Sequence, residues 1–197
     1  QKRDKIMKII GITGGVGSGK SKVLECLEQE FGAKVYQADE IAKELQKKGQ
    51  TCYREMVRYF GKEILALDGE IDRPKLAGIV FKEEEKLLRL NQMVHPAVRE
   101  YLLSEIERQK EEHTAYFIIE AALLLENDYR AICDEIWYIH TSEDVRRQRL
   151  KESRGYDDRK ISEIIASQLP ESEFYAKCDA VVENDGDFEE TRRQIGE

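Results

Sequence analysis

At 197 residues, 41% of them hydrophobic, the chain is long enough to bury a substantial core, either as one large domain or as a core carrying insertions. Its formal net charge of −8 argues against general nucleic-acid binding, which depends on excess lysine and arginine. No apolar run approaches the roughly 20 residues of a membrane span, the polar start does not read as a secretory signal, and Cys26, Cys52, Cys133 and Cys178 form no C-x-x-C pair, so no membrane partner, zinc site or disulfide framework is expected, and a reducing, cytoplasmic setting is.

Residues 1–6 read as an extension ahead of Met7. Met7, Ile9, Ile10 and Ile12 form a short apolar run ended by glycine, the pattern of a buried strand, and Val23, Leu24, Leu27 and Phe31 recur at helical spacing. Between them lies Gly14-Gly15-Val16-Gly17-Ser18-Gly19-Lys20-Ser21, a full match to the phosphate loop G-x-x-x-x-G-K-[ST] in its required strand–loop–helix context. Glycines there let successive N–H groups turn onto phosphate oxygens, and the helix N-terminus adds positive potential. Lys20 is then expected beside the β- and γ-phosphates, with the Ser21 hydroxyl helping to hold Mg²⁺. The stretch as a whole predicts a small ATP-dependent kinase.

A second strand at residues 33–36 leads to Gln37-Ala38-Asp39 and a helix through Ile41, Ala42 and Leu45. Asp39 thus lies near a strand's carboxyl end, where open α/β sheets bind ligands, although position alone favours a helix cap. Residues 48–112 contain no convincing strand. Helical periodicity appears at 53–60, 76–81, 87–94 and 98–106, with Pro74 in the first turn of one helix and His95-Pro96 ending another and starting the next.

Residues 116–120, YFIIE, read as a second clear buried strand closed by Glu120, an acid placed where phosphate-loop enzymes keep a metal-associated carboxylate. Residues 135–139 predict another strand, with Thr141 or Ser142 capping the next helix. That helix carries Arg146, Arg147 and Arg149, and Arg154 and Arg159 follow around a turn. Ion pairing with nearby acids accounts for two or three of them; a mobile lid that brings charge to the phosphoryl group and excludes water accounts for the rest. A helix ended by Pro170, a last strand at 179–183, the turn Asn184-Asp185-Gly186-Asp187 and a terminal helix complete the chain.

With these residues the chain resembles the dephospho-coenzyme A kinase family of phosphate-loop kinases. The resemblance is carried by residues 12–21, Gln37-Ala38-Asp39 with Ile41-Ala42, Ile71-Asp72-Arg73 with Leu76 and Val80-Phe81, His95-Pro96, Leu123-Leu124 with Glu126, Arg149, Gln168, and Asp179 with Val181, Asn184 and Gly186. It implies an α/β fold, with a five-stranded parallel sheet in a kinase core (residues 7–47 and 113–197), a helical CoA-binding insertion (48–112) and a lid near 149–160. It further implies transfer of the ATP γ-phosphoryl to the 3′-hydroxyl of dephospho-CoA, the step that yields CoA, with Mg²⁺ on Ser21 and Glu120. The catalytic set it implies is Lys20, Asp39 and Arg149, with Asp39 as general base. ATP binding falls to Gly14, Gly15, Val16, Gly17, Ser18, Gly19, Lys20, Ser21, Lys22, Arg149, Asn184 and Gly186; acceptor binding falls to Asp39, Arg73, His95 and Leu123. The chain departs from the family pattern in having Gln37 for an aspartate, Lys22 for a threonine, and no proline between Glu120 and Glu126. The competing readings are a related small-molecule or nucleotide kinase, and a non-enzymatic nucleotide switch, although neither D-x-x-G nor N-K-x-D occurs in the chain. Oligomeric state is not legible in the sequence.

Overall fold

The structure, a computed structural model, describes residues 6–197; the expected extension lies outside the described residues except for Ile6, which is exposed. The chain divides into two compact units, one formed by residues up to Tyr36 and from Gln109 on, the other by Gln37–Arg108. Among the described residues no helix is long and apolar enough to cross a membrane.

The first unit is built on a five-stranded parallel sheet of β1 (Lys8–Thr13), β2 (Lys34–Gln37), β3 (Tyr116–Glu120), β4 (Glu135–His140) and β5 (Ala180–Glu183), in the order β2-β3-β1-β4-β5. The apolar runs explain the arrangement, because strands buried on both faces need large side chains at consecutive positions. Ile10, Ile12, Ile118, Ile139 and Val182 face α1 (Lys20–Phe31) and α9 (Phe188–Gly196), packing on Val23, Leu24, Leu27 and Ile195. Other strand residues serve further contacts: Phe117 stacks on Tyr36 with centroids 4.4 Å apart, and Tyr138 stacks on Phe174 of α8 (Glu171–Lys177) at 4.7 Å. Register sets Ile12 against Glu120 and Thr13 against Tyr138, so the carboxyl ends of three strands meet around the phosphate loop.

After β4 come α6 (Glu143–Arg154) and α7 (Asp158–Ser167), joined at Gly155. The sequence places a single helix before Pro170; the structure adds α8 after it, begun by Pro170 and anchored by buried Phe174. Ser142 is the N-cap of α6 but makes no side-chain cap bond. Asp179 has a structural task. Its Oδ2 accepts from the Ile136 N–H at 2.7 Å and from Arg130 at 2.5 Å, and these two bonds, the arginine's first, hold its pKa below the usual carboxylate value.

The second unit contains α2 (Ala38–Leu45), α3 (Thr51–Phe60), α4 (Arg73–Lys82) and most of α5 (Glu84–Glu111), with only an isolated bridge between Leu65 and Ile71 for β structure among the described residues. Asp72 caps α4 by accepting from Lys75 N at 3.1 Å, with Pro74 in the first turn as expected. The break expected at His95-Pro96 does not occur: α5 is one helix with Pro96 inside it. An interior proline removes one helix bond and costs about 3 kcal/mol. Here the buried stripe Val94, Val98, Leu102 and Ile106 keeps one phase across the proline, and Pro96 itself is exposed, so packing outweighs the lost bond.

Candidate active site

The phosphate loop connects the buried end of β1 to α1. Gly19 is the N-cap of α1 in the left-handed region, φ 79°, and an added Cβ there would lie 2.5 Å from Asn184 Nδ2, so conformation and space both require glycine. No acidic side chain occupies the first turn of α1, which leaves its positive end available to an anion. Ser21 and Lys22 are exposed in that turn.

The loop's carbonyls are held from outside. Val16 O accepts from Arg146 Nε at 2.9 Å, Gly17 O from Arg149 at 3.4 Å, and Ser18 O from Asn184 Nδ2 at 2.7 Å and the Thr141 hydroxyl at 3.0 Å. In a trans peptide the carbonyl and the following N–H point in opposite directions. The pinned carbonyls of Val16 and Ser18 therefore direct the N–H groups of Gly17 and Gly19 away from their anchors, the condition for a concave, anion-binding backbone. The anchors are themselves fixed: Asn184 is buried, accepts from the Thr191 hydroxyl at 2.9 Å, and through its carbonyl accepts from Arg149 at 2.7 Å.

Lys20 Nζ donates to Gly14 O at 2.7 Å and lies 3.8 Å from Glu120 Oε1, both side chains being largely buried. Ser21 and Glu120 offer a hydroxyl and a carboxylate, oxygen donors that match a hard ion such as Mg²⁺.

Several expected site residues lie elsewhere or act differently. Asp39 is exposed at the second position of α2; the helix cap is Gln37, without a side-chain cap bond, so the capping role that position alone favours is not its role. Arg73 opens α4 and His95 is exposed on α5, and both belong, like Asp39, to the unit Gln37–Arg108. Leu123 is 51% exposed in the turn after β3. Gly186 is exposed, with open space where a Cβ would stand. Of the five arginines, Arg147 pairs with Glu143 and Arg159 with Glu163, Arg154 is exposed near the Tyr156 ring, and Arg146 and Arg149 lie on the loop. The sequence reading missed Arg146, Thr141 and Thr191 as loop supports. Residue type gives no signal for them; only the order of the strands brings Arg146 to Val16, Thr141 to Ser18 and Thr191 to Asn184.

At the β4–β5 end, His140 bonds Glu183 through Nδ1 at 2.6 Å and Glu171 through Nε2 at 3.1 Å. Burial lowers its pKa, but the two carboxylates together raise it above the ordinary imidazole value.

The profile of the family described as dephospho-CoA kinase matches residues 8–190. A dephospho-CoA kinase from Geobacillus kaustophilus is 39% identical over 186 residues, covering 94% of this chain and 92% of the relative. Among solved structures, TT1252 from Thermus thermophilus superimposes with a TM-score of 0.83 at 29% identity, covering 96% of this chain and 95% of that one. The dephospho-CoA kinase from Campylobacter jejuni shares the fold, with a TM-score of 0.70 at 23% identity over 95% of this chain and 93% of that one.

Proposed function

Because the chain belongs to the dephospho-CoA kinase family, we infer that it transfers the γ-phosphoryl group of ATP to the 3′-hydroxyl of dephospho-CoA, giving CoA and ADP. The observation that carries the reading is the braced phosphate loop: outward-held carbonyls at Val16 and Ser18, inward-free N–H groups at Gly17 and Gly19, and Lys20 beside Glu120. Such a site stabilises charge on the phosphates with dipoles fixed before the substrate arrives, which is where most of the catalytic advantage of phosphoryl transfer lies.

Lys20 supplies charge at the β- and γ-phosphates. Arg149 steadies the nucleotide side of the loop, and the segment 149–160 serves as a lid. Asp39 accepts the proton of the 3′-hydroxyl as its oxygen bonds to the γ-phosphorus and the bond to the β,γ-bridging oxygen breaks. Arg73, His95 and Leu123 contribute to holding the acceptor, and the helical insertion is its docking unit. Ser21, with Glu120, would hold Mg²⁺, which when bound neutralises phosphate charge. The site of action is the cytoplasm.

An ATP-consumption assay with dephospho-CoA, set beside adenosine, shikimate, uridine and nucleoside monophosphates, tests the substrate. Turnover is expected with dephospho-CoA far above the others; comparable or better turnover with another acceptor would replace it.

A further inference from the structure

The reading above gives no role to a residue that covers one side of the phosphate loop. Arg146 of α6 is 7% exposed and has no carboxylate within ion-pair distance among the described residues. Its guanidinium sits so close to Gly15 that an added Cβ would collide with it, and its main-chain oxygen would lie 3.1 Å from a Cβ at Gly17. Nε donates to Val16 O at 2.9 Å while a terminal N–H donates to Gln168 Oε1 at 2.8 Å. Gln168 closes α7, its own N–H bonded to Ile165 O. A cavity of about 260 Å³ adjoins this joint, lined among others by Gly15, Tyr138, Arg146, Gln168, Phe174 and one acid, Glu171.

We infer that Arg146, oriented by Gln168, is a positioning residue of the phosphate loop, setting the Val16–Gly17 peptide so that the Gly17 N–H is presented to the nucleotide phosphates. The inference rests on the kinase reading above and extends it to a residue that acts through the loop's backbone. Two physical effects act together. Fixing Val16 O fixes the direction of the Gly17 N–H, because the peptide is planar and trans. A buried guanidinium with no carboxylate within ion-pair distance among the described residues also leaves positive potential next to the loop, where low dielectric strengthens its pull on an anion. A forked side chain is needed, since one group must reach Val16 and Gln168 at once. Arg147 and Arg159 have carboxylate partners and cannot substitute for it.

The test uses Arg146→Met, Arg146→Lys, Gln168→Met and the double variant Arg146→Met/Gln168→Met in the full chain. Measured are kcat, KM for ATP and for dephospho-CoA, ATP affinity by calorimetry without acceptor, and the thermal midpoint. Arg146→Met is expected to weaken ATP binding and lower kcat/KM for ATP by on the order of 10–100-fold, the scale of a small misplacement of catalytic groups, while KM for dephospho-CoA stays put. Lysine should restore little. Gln168→Met should move the same parameters less, and the double variant should be no worse than Arg146→Met alone. Wild-type ATP affinity and kcat in Arg146→Met, or a loss confined to the thermal midpoint, overturns the inference. If Arg146→Met does not fold, Gln168→Met decides alone, and unchanged ATP affinity there is equally fatal. Failure of the underlying reading looks different: it would show as an active Lys20→Ala protein, whereas failure of this inference alone leaves Lys20→Ala inactive and Arg146→Met active.

Discussion

The ammonium of Lys20 donates to the carbonyl oxygen of Gly14, 2.7 Å away, tying the lysine of the phosphate loop back to the loop's first glycine. With Glu120 Oε1 at 3.8 Å, the lysine is set by groups on two adjacent strands' ends. Lys20→Ala is therefore expected to reduce turnover by at least about 10²–10³-fold, the worth of a preorganised charge or donor at the reacting phosphate. Circular dichroism should show an intact fold. Near-normal kinase activity in that variant would remove the phosphate-loop assignment.

Arg149 bonds three oxygens at once, those of Gly17, Thr141 and Asn184. Lysine preserves the charge but not the fork. Arg149→Lys should lower kcat/KM for ATP by on the order of 10–100-fold, the equivalent of one or two hydrogen bonds from a charged donor, with most of the change in kcat. Steady-state kinetics that match the parent enzyme would reduce Arg149 to an ion of the surface.

In the proposed mechanism Asp39 bears the proton-transfer step. Asp39→Asn keeps size and much of the hydrogen bonding but removes the acceptor, so kcat should fall by about 10²–10⁴-fold with calorimetric ATP affinity little changed. Gln37→Asp, which restores the acid usual in the family, should leave activity roughly constant if Asp39 acts alone; a large gain would mean that two carboxylates share the work.

His140 predicts a pH dependence of stability. A neutral imidazole has one N–H and cannot donate to both Glu183 and Glu171, so the two bonds at 2.6 and 3.1 Å call for the protonated ring. Its folded pKa is raised, hence the stabilisation is complete below the ordinary imidazole value and is lost as pH rises through the folded one. The other ionisable groups near the ring are Asp185, Tyr138 and Tyr175. Thermal midpoints measured from about pH 6 to pH 9, a window around the imidazole range, should decline with pH in the parent chain. The decline should flatten in His140→Gln; identical slopes would contradict the pairing.

Much of this was legible in the sequence, for identifiable reasons. The three inner strands, β3, β1 and β4, announce themselves because a sheet covered on both faces demands consecutive apolar residues, as in residues 116–120, whereas the four-residue edge strands β2 and β5 carry a weaker signal. The phosphate loop is legible because backbone geometry fixes its glycines. Pro96 misleads because the local rule against interior proline ignores the stripe from Val94 to Ile106, a matter of tertiary packing. The helix Glu171–Lys177 has only seven residues, too short for a periodic pattern to declare it. Arg146 and Arg149 sit three residues apart among other arginines, and nothing in residue type separates the two that hold the loop from those paired to acids at the surface.

The strand order carries a consequence for synthesis. β1, the central strand, is made before its neighbours β3 and β4, which lie roughly a hundred residues and more farther along the chain, beyond the whole helical unit. During translation, Ile10 and Ile12 leave the ribosome with no adjacent strand to pair with, and the phosphate loop has neither Arg146 nor Asn184 to hold its carbonyls. The phosphate loop is thus synthesised well before the residues that brace it and takes its final shape only after them, so the nascent chain carries an exposed, strand-forming segment while the helical unit is being made.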